Sequence, residues 1–257
     1  SADKTSNHIL SYQYAGRCDK GEWSGIVYTN GPSKKQRIRF VDLIGEAIKD
    51  GRKRKILPNK WPETVYAAAH FTRSDLAAFK DFDKLNVRFE NVQKTFVTIG
   101  NHPYDVKYTD DSRNQHELKI RLIDTMLLSP NQYGLEALGD LYKFPKIKLP
   151  DGMIEKMDQL LKEDPSLFKD YAIRDAEIAA LHAWKMVEFS RDHFKSEKPP
   201  TTLGSLSVVH IKMLWKQLGI DANDVLGTEI IKQKSWNRQA GRPVTKQNTV
   251  PTKSSHD

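Results

Sequence analysis

At 257 residues with 38% apolar side chains, the chain is long enough for one large domain, or one domain with an appendage. Lysine and arginine number 41 against 33 aspartates and glutamates, and the net charge of +8 favours contact with polyanions and makes it salt-dependent. Cys18 is the single cysteine, which excludes an internal disulfide and a cysteine zinc cluster, and no apolar run approaches a membrane span.

In chain order, residues 8–15 and 22–29 read as a β-hairpin joined by 16–21. A helix is expected over 39–49, with Phe40, Leu43, Ile44, Ala47 and Ile48 as its buried stripe and Gly51 as its breaker. Two basic runs bracket it, Lys34, Lys35, Arg37 and Arg39 before and Arg52, Lys53, Arg54 and Lys55 after. Either they contact phosphates or they are solvated turns.

Residues 64–71 form an apolar strand after Pro62, and Ser74 or Asp75 then starts a helix. Asp75 reads in two ways: as an acid complementing a helix N-terminus, or as an acid at the carboxyl end of a strand, where open α/β sheets collect ligands. Residues 89–99, 104–109 and 117–125 read as a small meander around a turn at 100–103. Phe96, His102 and Tyr108 near its tip are candidates for touching bases. In its last strand Leu118, Ile120 and Leu122 share one face. Asp124 stands near the end, more a strand-end acid satisfied by a backbone group than a chemical one.

A helix follows with Leu135, Leu138 and Leu141, then an extended stretch over 145–150, a helix over 151–161 and a long helix from Pro165 to about Phe194. Ile173, Ile178, Leu181, Trp184 and Val187 line one side of the long helix. Tyr171 and Asp175, one turn apart, point a phenol and a carboxylate at one volume. Beyond Pro199 and Pro200 another helix carries Ile211, Leu214, Trp215 and Leu218. Residues 233–257, basic and without apolar periodicity, read as a flexible tail. Trp184 and Trp215 read as core residues. The eight histidines form no His-x-x-x-His pair, and no glycine-rich phosphate loop occurs.

The ordered set of His70-Phe-Thr-Arg-Ser-Asp75, then Asp124-Thr125 with Tyr133-Gly-Leu-Glu-Ala-Leu138, then Tyr171-x-x-x-Asp175 resembles the 3′–5′ exonuclease domain of family B DNA polymerases of the protein-primed viral, plasmid and organellar type. The resemblance covers about residues 8–190 and, less closely, continues to about 235. It implies an α/β, ribonuclease H-like mixed sheet flanked by helices, with an exonuclease-like domain over 1–198, a helical connector over 199–232 and the tail.

It also implies two magnesium or manganese ions that clamp a 3′-terminal phosphodiester. Asp75 and Asp175 would be ligands, Tyr171 would orient water, and His70 and Phe71 would approach the terminal nucleotide. Lys35, Arg37, Arg52, Lys53 and Arg54 would meet phosphates, and Asp124 is of second rank. The family's first motif, Asp-x-Glu on an opening strand, does not occur before His70. The expectation is that the chain starts just after it and is impaired in hydrolysis. Expected partners are single-stranded DNA or a primer 3′ end and a polymerase domain in the same parent chain. The expected setting is intracellular, either bacterial, plasmid or viral cytoplasm or an organelle. The alternatives are a non-catalytic nucleic-acid-binding module and a stand-alone nuclease acting on RNA.

Overall fold

The structure is a computed structural model that describes residues 8–31, 33–86, 89–93, 96–99, 104–237 and 242–251. They fall into two compact units, Ser1–Glu188 and Phe189–Asp257.

The first unit opens with the expected hairpin, β1 (Ser11–Cys18) antiparallel to β2 (Gly21–Tyr28), turning tightly at Gly21 with φ +147. Helix α1 (Phe40–Lys53) lies against it. Its amide at Phe40 donates to Asp81, and its Ala47 carbonyl accepts from the Trp23 indole at 2.7 Å. Gly51 does not break this helix. It is buried inside α1, where a Cβ would sit 2.8 Å from the Trp23 ring, so close packing and not chain reversal explains the glycine. The same reasoning applies to Gly45, where a Cβ would fall 2.3 Å from the Tyr108 ring. Gly45→Ala is therefore expected to lower stability by about 1–3 kcal/mol through overpacking, read as a reduced urea midpoint.

The central sheet has three strands in the order β3 (Thr64–Ala69), β7 (Gln115–Asp124), β6 (Tyr104–Thr109). β3 runs parallel to β7 and β6 antiparallel to it, which makes the sheet mixed. Leu118 and Ile120 are almost fully buried and Leu122 is 7% exposed, so the expected alternation holds. They form the core with Phe40, Val41, Leu43, Tyr12, Leu76 and Phe79. The short helices α2 (Thr72–Leu76) and α3 (Phe82–Asn86) follow β3. In place of one strand over 89–99 there are two, β4 (Phe89–Gln93) and β5 (Phe96–Ile99), paired antiparallel. The turn at 100–103 with His102 lies outside the described residues, as does the side chain of Phe96. Tyr108, read as a base contact, is 4% exposed beneath α1 and belongs to the core.

Helices α4 (Leu135–Leu141) and α5 (Met157–Glu163) precede the 30-residue α6 (Pro165–Phe194), whose Phe168, Ile173, Ile178 and Ala179 are buried. Mixed sheet and flanking helices together are an α/β arrangement consistent with a ribonuclease H-like fold. No helix among the described residues is long and apolar enough to cross a membrane.

In the second unit, α7 (Leu203–Gln217) starts on a Thr202–Ser205 capping box and is followed by α8 (Ala222–Leu226). α7 leaves Ile211 and Leu214 exposed, and Leu218 just beyond it, so the periodic stripe marks a helix without burying it. The expected tail is corrected over most of its length: β8 (Thr228–Asn237) pairs antiparallel with β9 (Arg242–Pro251). A backbone ladder needs no apolar alternation, which is why composition missed it. Residues 252–257 lie outside the described residues.

Candidate active site

β3 and β7 end side by side, with Ala69 paired to Asp124, so the chain leaves both strands at one sheet edge. Immediately past that edge the His70 Nδ1 lies 3.0 Å from Thr125 Oγ1. Phe71 then turns through the left-handed region (φ 65, ψ 54), a conformation that costs a non-glycine residue about 1 kcal/mol or more. Asp124 holds the turn. Its carboxylate accepts from the amides of Phe71, Thr72 and Met126, each at 3.0 Å, and is 5% exposed. The strand-end acid is thus a backbone strut, as expected. Asp124→Ala takes the acceptor from one buried and two part-buried backbone donors and should destabilise the unit by about 3 kcal/mol, with Asp124→Asn costing less; urea unfolding reads both.

Asp75 lies on α2. Its surface is open to water, yet desolvation by the surrounding protein, then the charges of Asp124 and Asp175, push its pKa up to about 7. Because the folded pKa exceeds the unfolded value near 3.8, the native state holds the proton more tightly. Asp75 therefore contributes stability that is lost as pH rises from about 4 to about 7. Asp75→Asn is expected to flatten that part of the pH–stability curve, measured as urea midpoints from pH 4 to 8.

Tyr171 and Asp175 lie on α6, both half-buried. Between them comes a residue that motif reasoning overlooked. Lys146 sits on the extended segment after α4, with its ammonium 2.9 Å from Asp175 Oδ2 and 5.9 Å from the centroid of the Tyr171 ring. Arg174 fastens the segment, donating to the Pro145 carbonyl at 2.9 Å and stacking 4.0 Å over the Phe144 ring. The available signal was a lysine flanked by Pro145 and Pro150 between the second and third motifs. Asp175 Oδ1 and His70 Nε2 are buried without a hydrogen-bond partner. Burial drives the His70 pKa down; the Asp124 charge, a backbone hydrogen bond with Tyr133 and the Asp175 charge oppose this, and Lys146 adds to it, so charges from α6 and from the segment after α4 reach the sheet edge.

Hard carboxylate oxygens and the orphaned Oδ1 of Asp175 suit magnesium in kind. Among the described residues, however, no group of three or more His, Cys, Asp or Glu side chains is arranged to hold a metal ion.

The basic residues separate. Arg37 donates to the Ala77 carbonyl at 3.2 Å, which brings the 34–37 run beside the segment following Asp75, with Lys35 exposed. Arg52, Lys53 and Arg54 stand at the other end of α1, near the start of β3 and away from this edge. Arg52 lies 5.4 Å over the Trp61 ring, and Arg54 is committed to Asp50 and the Ser24 carbonyl.

No family model matches the chain, and no solved structure matches it. The chain is similar to the primer-independent DNA polymerase PolB of Escherichia coli, 28% identical over 271 aligned positions that take in 96% of this chain and 31% of that protein. It therefore spans about a third of the length of the curated relative it matches.

Proposed function

From a chain related to a family B DNA polymerase, we infer a 3′–5′ exonuclease domain of the proofreading type, one that grips a single-stranded 3′ end beside Asp75 on α2 and Asp175 on α6. The observation that carries this reading is the convergence of electrostatic influence at one sheet edge. The charges of Asp124 and Asp175 both reach Asp75 and His70 there, and Lys146 lies against Asp175 and the Tyr171 ring.

In this reading Asp75 and Asp175 hold magnesium or manganese, which supplies a polarised phosphate and an activated water. The protein's own groups do the rest. Tyr171 orients water, Lys146 neutralises charge on the phosphate, and the exposed Lys35 with Arg37 steers the polyanion. Two carboxylates are few for two dications. The reading therefore assigns the missing pair to an Asp-x-Glu strand, with the polymerase part of the parent chain as a further partner.

The test compares digestion of a 5′-labelled single-stranded DNA in magnesium, with and without such a strand fused ahead of residue 8. Mononucleotide release from the 3′ end in the fused protein alone is expected. No release from either protein would overturn the reading.

The engagement of Asp175 by Lys146 favours one rival, a binding module in which this ion pair is permanent. A binding module keeps its affinity for single-stranded DNA in chelator and gains no hydrolysis from the added strand.

A further inference from the structure

The basic run at the C-terminal end of α1 takes no part in the chemistry proposed above. It stands one helix length, about 20 Å, from the Lys35 and Arg37 end. Arg54 is spent within the fold, on Asp50 and on the Ser24 carbonyl. Lys53 and Lys55 are exposed and make no hydrogen bond or ion pair among the described residues. Lys55 is also placed at a cost. It follows the helix in the left-handed region (φ 60), its amide donating to the Arg52 carbonyl at 2.9 Å. Glycine is the usual residue at such a helix end, because a side chain is strained there. The turn itself needs no lysine, so a strained lysine with an uncommitted ammonium points to a use for the charge.

The same turn builds a depression in the surface. The amides of Ile56 and Leu57 both donate to the Gly51 carbonyl, at 2.9 and 3.1 Å, and fold the chain back on the end of α1. Leu57 and Pro58 thereby join Ile48, Trp61 and Pro62 as the apolar floor of an open depression of about 290 Å³. Trp61 is a fixed wall. Its ring stacks on His116 at 4.3 Å and leans on Tyr108 at 5.1 Å, and the Arg52 guanidinium lies 5.4 Å from its centroid. Lys60 and Glu63 complete the lining, exposed and 3.6 Å apart.

We propose that this depression, with Lys53 and Lys55 beside it, docks an acidic peptide segment of another protein that carries one aromatic or large aliphatic anchor. An apolar side chain fills such a floor without loss, whereas a nucleobase would bury ring nitrogens and carbonyls short of partners. The lysines complement carboxylates flanking the anchor and speed the encounter. A wall already fixed by His116 and Tyr108 has little ordering to pay for on binding. The surface lies at the opposite end of α1 from the sheet edge, and its role stands whether or not DNA is hydrolysed there.

The experiment uses the full chain and a fluorescein-labelled peptide with three aspartates on each side of one phenylalanine. Binding is read by fluorescence anisotropy in chelator. Trp61→Phe assigns the Trp61 indole signal in the 15N spectrum, and that signal should shift as peptide is added. Serine in place of the peptide's phenylalanine should weaken binding about tenfold or more, the scale of burying one aromatic side chain. Lys55→Gly should weaken it about threefold, and Lys53→Ser with Lys55→Gly about tenfold, as exposed ion pairs are lost. The urea midpoint of Lys55→Gly should hold or rise, since glycine is at ease in the left-handed region. Oligothymidylate affinity should stay within about twofold, because the length of α1 exceeds the screening distance. No peptide binding, binding indifferent to the phenylalanine or to the two lysines, or an unmoved Trp61 signal would overturn the proposal. So would an oligothymidylate affinity that falls with the lysines as far as the peptide's, which would make the run a phosphate contact. A dimer that the same substitutions dissociate would overturn it too, by making a second copy the occupant.

Discussion

Asp175→Ala is expected to abolish metal-dependent 3′–5′ digestion in the protein carrying an upstream Asp-x-Glu strand, by on the order of 10³-fold or more. Asp175 lies one turn from Tyr171 on α6, and one of its oxygens is buried and without a hydrogen-bond partner. Asp124, at the same sheet edge, is an unsuitable substitute because its carboxylate already accepts three backbone hydrogen bonds. Affinity for single-stranded DNA in chelator should barely fall, because removing a negative charge beside Lys146 leaves more positive charge for the phosphates. Digestion that survives both Asp175→Ala and Asp75→Ala would mean that the chemistry lies elsewhere in the molecule.

Much of the site's scaffold was legible because it rests on local pattern. The Tyr171–Asp175 spacing fixes a shared helix face wherever the helix packs. The alternation of Leu118, Ile120 and Leu122 fixes which face of β7 is buried, and the Pro165 start of α6 fell where expected. What sequence could not supply were contacts between distant segments. The parallel pairing that brings His70 to Thr125 joins residues 55 apart. The Lys146–Asp175 ion pair joins residues 29 apart and belongs to no periodic pattern. Gly51 misled for a related reason: read locally it ends a helix, whereas the Trp23 ring, from a different element, is what requires it. The sorting of the basic runs by the two ends of α1 has the same origin. Composition counts charges without saying that a 14-residue helix, about 20 Å long, holds the two runs apart.

Lys146→Met is expected to move two measurements in opposite directions. In the free protein the ammonium neutralises Asp175 within a volume also shaped by Asp75 and Asp124. A dication entering there must displace the lysine or share the carboxylate with it, so the uncharged methionine should let the protein alone bind magnesium or manganese more tightly. Once a nucleic-acid phosphate arrives, the released ammonium has an anionic partner close by, and its loss should slow digestion about 10²-fold, the scale of one electrostatic contact to a developing charge. The salt dependence of single-stranded DNA binding should weaken by about one counterion. Folding stability should change little, about 1 kcal/mol or less, because both partners of the pair reach solvent. The paired outcome separates a catalytic lysine from a brace. A brace would lower stability and leave both metal affinity and digestion where they were, whereas a lysine that trades Asp175 for a phosphate must tighten the first and slow the second.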